Sequence, residues 1–126
     1  MIIGVGVDMA SISEIKKAVD KQSAFLRRGF TAEEQRVAAA KPEHARAPYL
    51  ATRFAAKEAV FKAVAPHTKT GFDLRIVETL NRGDGSPYVN VSPALQEFLD
   101  EAGIKQLHIS ITDEDDYALA YVIAEG

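Results

Sequence analysis

The stretch RFAAKEAVFKAV, residues 53–64, decides how the chain is read. With Leu50 set at zero, Phe54 falls at about 40°, Phe61 at about 20° and Val64 at about −40°, an apolar stripe along one side of a helix. Lys57, at about −20°, lies inside that stripe. Arg53, at about −60°, stands one turn earlier as a like-charge neighbour, an arrangement that costs helix stability unless an anion offsets it. On the other flank Glu58, at about 80°, and Lys62, at about 120°, have the i,i+4 spacing of a helix ion pair. Ala51 and Ala55 beside them suggest a groove with room for a ligand. Four charged groups on or beside one apolar stripe are expensive to bury without a compensating partner or metal.

Outward from this helix the pattern changes period. Residues 2–8 alternate, with Ile3, Val5 and Val7 on one side and Gly4, Gly6 and Asp8 on the other, which marks a strand. Ser11 followed by Glu14 has capping-box spacing and starts a helix to about residue 22, and Thr31 with Glu34 starts another to about Ala40. The central helix then spans about 44–64, with Pro48 in its first turn or at a kink and Pro66 marking its end. Downstream, Leu74, Ile76 and Leu80 mark a strand, RGDGSP a turn, and Tyr88 to Val91 its hairpin partner. Ser92 and Pro93 open a helix that Gly103 closes. Leu107, Ile109 and Ile111 alternate, DEDD turns the chain, and Tyr117 to Ile123 returns. The order βαααββαββ makes one α+β domain covering residues 1–126.

Composition agrees. A length of 126 residues with 47% hydrophobic and 26% charged residues suits a single core, and no apolar run approaches a membrane span. The opening MIIGVGVDMA lacks the basic region of a signal peptide, so the expectation is a cytoplasmic protein that does not engage a membrane. A formal net charge of −3 argues against nucleic acid as a partner, and the absence of cysteine excludes disulfides and thiolate zinc sites. Charge is nevertheless uneven. Lys16, Lys17, Lys21, Arg27 and Arg28 face a single acid, Asp20, between residues 16 and 28, a basic segment in an acidic protein.

Among the groups able to do chemistry, GVGVD lacks the third glycine of a dinucleotide fingerprint and sits inside a strand. Its glycines read instead as clearance beside Asp8. Asp8, Glu58 and Glu34 are candidate hard oxygen ligands for Mg²⁺, which usually completes its shell with water and substrate phosphates. Arg53, Lys57 and Lys62 are candidate holders of those phosphates. His44, His67 and His108 form no triad or zinc spacing. Ser110 and Thr112 are expected to face solvent or a subunit.

These segments fall into one pattern. IIGVGVDMASISEI at the start, FTAEE at 30–34, RFAAKEAVFKAV in the centre, GSPYV at 85–89 and HISITDEDDYALAYVIAE at the end resemble the holo-acyl-carrier-protein synthases, the small class of 4'-phosphopantetheinyl transferases. The resemblance implies transfer of the phosphopantetheine arm of coenzyme A to a serine of apo acyl carrier protein, with release of 3',5'-ADP. It implies α+β subunits assembled as homotrimers with interfacial active sites. Asp8 and Glu58 match metal-binding carboxylates, Arg53, Lys57 and Lys62 match the basic residues around the nucleotide, and Pro87 matches a proline lining the adenine region. In such a site Mg²⁺ polarises the pyrophosphate, Glu58, directly or through a metal-bound water, accepts the serine proton, and Lys62 stabilises the departing phosphate. Lys17, Lys21 and Arg28 are assigned to docking the acidic carrier protein.

Three positions depart from the family pattern. Glu14 stands where many members have a base, Asp113 follows ISIT where many have histidine, and the glycine after the central helix is delayed to Gly71. They leave two other readings open: a homologue that binds coenzyme A or carrier protein without transfer, and a metal-dependent phosphohydrolase using the same carboxylates.

Overall fold

A computed structural model describes residues 1–126. The chain begins with β1 (Ile2–Ser11) and continues through α1 (Ile12–Lys21), α2 (Ser23–Gly29), α3 (Ala32–Ala40) and α4 (Glu43–Val64). A 3₁₀ turn at Leu74–Ile76 leads into β2 (Val77–Asn81) and β3 (Pro87–Val91), followed by α5 (Pro93–Ala102), β4 (Gln106–Glu114) and β5 (Tyr117–Glu125). The α+β class holds, with one helix more than expected. Residues 23–29 form α2 although its N-cap, Gln22, makes no side-chain capping bond; what holds it is packing, Phe25 lying against Phe30 and Phe54.

Capping explains most of the boundaries. Ser11 Oγ accepts from the Glu14 amide, Thr31 and Glu34 complete a reciprocal capping box, and Ser92 Oγ accepts from the Leu95 amide. Gly103 ends α5 with φ 73°, the left-handed cap that glycine adopts without strain. Glu14 gives only its backbone amide to its cap, so the reciprocal half expected from the sequence is absent. Pro48 lies inside α4 rather than in its first turn.

The sheet is antiparallel with order β1-β5-β4, and β2-β3 forms a separate hairpin. Helix α4 lies against the sheet through small residues on both sides. Ala51, Ala55, Ala56, Ala59 and Ala63 are buried, as are Ala118, Ala120, Val122 and Ala124 of β5. A Cβ on Gly6 would fall on the carbonyl oxygen of Ala59, and one on Gly4 on that of Ala63. This corrects the reading of two sequence features. The glycines clear the α4 backbone rather than a ligand, and the alanine groove is filled by the sheet.

That close approach turns the other face of β1 outward. Val5, Val7 and Met9 are exposed, at 53%, 47% and 59%, and Tyr117 and Tyr121 of β5 lie on the same outer face. The hairpin also differs in register from expectation. Asp73 accepts a hydrogen bond from the Arg75 amide at 2.8 Å and folds residues 74–76 into a 3₁₀ turn, so Val77 and Thr79, not Leu74 and Ile76, supply the buried face of β2.

Candidate active site

Strand β1 brings Asp8 to the edge of α4 because Gly4 and Gly6 let the helix sit close. Lys62, in the last turn of α4, crosses to it: Nζ donates to Asp8 Oδ1 at 3.0 Å and to the Val7 carbonyl at 3.1 Å. Glu58, one turn earlier, makes no ion pair, so the i,i+4 pair with Lys62 is replaced by this link between helix and strand. Burial raises the Glu58 carboxyl above its usual range, the nearby Asp8 charge raises it further, and Lys62 partly opposes both. Two carboxylates and one half-exposed ammonium thus meet at an open edge. No set of three His, Cys, Asp or Glu side chains gathers anywhere in the chain. The chemistry of the donors fits a hard cation that takes two protein oxygens and finds the rest elsewhere.

Two of the expected site residues lie elsewhere. Glu34 and Lys57 are both fully buried and pair with each other, Lys57 Nζ to Glu34 Oε1 at 2.7 Å. Lys57 also donates to the carbonyl oxygen of Val77. The anion that answers Lys57 is therefore a protein carboxylate, and the expectations of Glu34 as a metal ligand and Lys57 as a phosphate holder are corrected by that burial.

Arg53 is 5% exposed and faces the opposite flank of α4 from Glu58. Its guanidinium lies 4.7 Å over the Tyr49 ring, and Nη2 donates to Asn81 Oδ1 at 2.5 Å. Nε and Nη1 are buried without a partner. A cleft walled by Tyr49, Leu80, Asn81 and Tyr88 adjoins it. Pro87, which pairs with Asn81 at the hairpin end, lines a neighbouring cleft with Arg82, Tyr88 and His108. Asn81, Arg82 and Tyr88 were not among the expected site residues. The turn RGDGSP was the available signal, since Asn81 Nδ2 closes it on the Gly85 carbonyl at 2.8 Å and Arg82 stacks on Tyr88 at 4.9 Å.

Beside Lys62 the delayed glycine lies in a shallow cleft formed by Phe61, Lys62, Thr68, Lys69, Thr70 and Gly71. Lys17, Lys21 and Arg28 are exposed on α1 and α2 and form no ion pair, whereas Lys16 is held by Asp20 at 2.8 Å. Asp113 is exposed at the end of β4, Ser110 and Thr112 are exposed along it, and His108 pairs with Glu125 at 3.0 Å.

Comparison with known proteins decides the family. Residues 4–122 match the model of the 4'-phosphopantetheinyl transferase superfamily. This chain belongs to that superfamily. It is 36% identical over its whole length to the holo-[acyl-carrier-protein] synthase of Clostridium beijerinckii, covering 99% of that protein. Its fold superposes on the holo-[acyl-carrier-protein] synthase structure from Neisseria meningitidis with a TM-score of 0.88 at 37% identity, each chain covered completely. It is also similar to the Bacillus anthracis synthase in complex with coenzyme A (3',5'-ADP), with a TM-score of 0.79 at 31% identity over 99% of this chain and 97% of that one. As a 4'-phosphopantetheinyl transferase, the chain has its Asp8, Glu58 and Lys62 in the segments, GVGVD and RFAAKEAVFKAV, that carried the resemblance. No helix is long and apolar enough to cross a membrane.

Proposed function

We propose that the chain transfers the 4'-phosphopantetheine arm of coenzyme A to a serine of apo acyl carrier protein and releases 3',5'-ADP. The observation that carries this reading is the open cluster of Asp8, Glu58 and Lys62, two hard carboxylates of which only Asp8 is paired with the lysine. The names of the relatives and the coenzyme A bound to a similar synthase support it. Mg²⁺ held by Asp8 and Glu58 would supply neutralisation of the pyrophosphate charge. The serine oxygen forms a bond to the β-phosphorus, the bond from that phosphorus to the bridging oxygen breaks, and the departing oxygen carries its electron pair away on 3',5'-ADP. Glu58, directly or through a metal-bound water, accepts the serine proton. Lys62, not tied to Glu58, offsets charge on the departing phosphate.

Arg53, held by Asn81 beside the cleft of Tyr49 and Tyr88, and Pro87, in the neighbouring cleft, form the nucleotide side of the site. These groups lie across α4 from Asp8 and Glu58, which fits a homotrimer in which two copies complete each site. The uncovered outer face of β1 and β5 is the apolar surface such an assembly would bury. Lys17, Lys21 and Arg28 dock the acidic carrier protein, and the enzyme works in the cytoplasm. Incubation with coenzyme A, Mg²⁺ and apo carrier protein, followed by intact-mass measurement, tests the proposal. Carrier protein bearing one phosphopantetheine supports it. Coenzyme A binding without transfer, or coenzyme A cleavage alone, overturns it.

A further inference from the structure

The buried Lys57–Glu34 pair is left without a role by the transfer chemistry, yet an ion pair is a costly way to fill a core, since apolar side chains of the same volume often serve stability as well or better. Its partners explain what it does. Lys57 Nζ meets the carbonyl oxygen of Val77 and, at 3.4 Å, that of Leu74. Glu34 Oε1 accepts from the Thr31 amide at 2.9 Å and from Lys57, and its Oε2 accepts from the Thr79 amide at 3.3 Å. Phe30 roofs the ammonium at 5.9 Å. Burial pulls the ammonium's proton affinity down while Glu34 holds it up.

Val77 and Thr79 are the buried residues of β2, and they lead directly to Asn81 opposite Pro87. A two-stranded hairpin is marginal alone, and this one is not hydrogen-bonded into the three-stranded sheet. We infer that the Lys57–Glu34 pair is a positioning device that fixes the β2–β3 hairpin against α4 and so sets Asn81 and Pro87 relative to Arg53. Neither residue touches substrate. The inference rests on the reading of Arg53, Asn81 and Pro87 as the nucleotide side of the site.

The test uses the full chain and the apolar double variant Lys57→Met/Glu34→Leu, which leaves no unpaired buried charge. Its thermal midpoint should fall by no more than about ten degrees, because the Thr31 and Thr79 amides lose their acceptor while no charge is left unpaired. Its KM for coenzyme A should rise about tenfold or more while kcat at saturating coenzyme A changes less than about threefold, and amide exchange at Thr79 and Asn81 should accelerate. Unchanged KM and unchanged hairpin exchange in a folded double variant overturn the inference, because the pair would then be only core filling. If the double variant does not fold, exchange in the parent protein decides. A Thr79 amide that opens only with global unfolding supports the anchor, and one that opens with the hairpin alone overturns it. Calorimetry of the parent with coenzyme A separates the two levels. Absence of binding removes the nucleotide reading, while the exchange measurements still judge the anchor.

Discussion

Gly6 shows how one residue sets both packing and site. Its missing side chain is the space occupied by the Ala59 carbonyl, so β1 and α4 lie close enough for Lys62 to reach Asp8. Gly6→Ala is expected to cost about 3 kcal/mol and to lower Tm by roughly 10 °C, measured by thermal unfolding; a change within a degree would contradict the packing described. Glu58 belongs to the same scale. Its folded-state proton affinity is raised by burial and by Asp8, so between its unfolded and folded pKa the native state binds more protons and stability falls as pH rises. The penalty is fully present above the folded pKa and vanishes below the unfolded one. Glu58→Gln should therefore raise Tm by a few degrees at most at pH 8 and leave it unchanged near pH 3, while abolishing transfer. Melting curves at the two pH values check the sign, and a lower Tm for the variant at pH 8 would contradict it.

At the scale of the elements, much of the fold is written locally. Capping residues Ser11, Thr31, Ser92 and Gly103 fall where helices begin or end, and the alternation of β1, β4 and β5 is visible in the chain. What was not legible depends on partners distant in sequence. A helical wheel places Lys57 on the apolar side of α4, but whether its anion is a ligand or a carboxylate 23 residues away is settled only by α3 packing beneath it. Likewise Arg53 could be assigned to an anion from the sequence, whereas its Asn81 partner awaited the hairpin. The α1–α2 segment carries its own prediction. Its free cations, Lys17, Lys21 and Arg28, would act mainly on encounter with an acidic partner. Reversing all three to Glu should raise KM for apo carrier protein about tenfold or more, leave coenzyme A affinity nearly unchanged, and weaken the dependence on salt. Steady-state kinetics at two ionic strengths decide it; parental KM and salt response would make the segment a solvated face.

For the whole molecule, the sheet is covered by α4 on one side and bare on the other, where Val7 stands opposite Tyr121. Covering that face in a homotrimer would unite the carboxylate cluster of one copy with the nucleotide side of another. Light scattering should give three times the chain mass for the parent and a smaller species for Val7→Lys/Tyr121→Lys, with transfer lost in parallel; a fully active monomeric parent would contradict the assembly. Transfer is proposed to run through Asp8 and Glu58, and the most direct test compares the parent with Asp8→Ala and Glu58→Ala by intact-mass detection of modified carrier protein at saturating coenzyme A and Mg²⁺, each variant first shown to unfold cooperatively. Both variants should lose about a hundredfold or more in rate; near-parental turnover by both would contradict a role for these carboxylates in transfer.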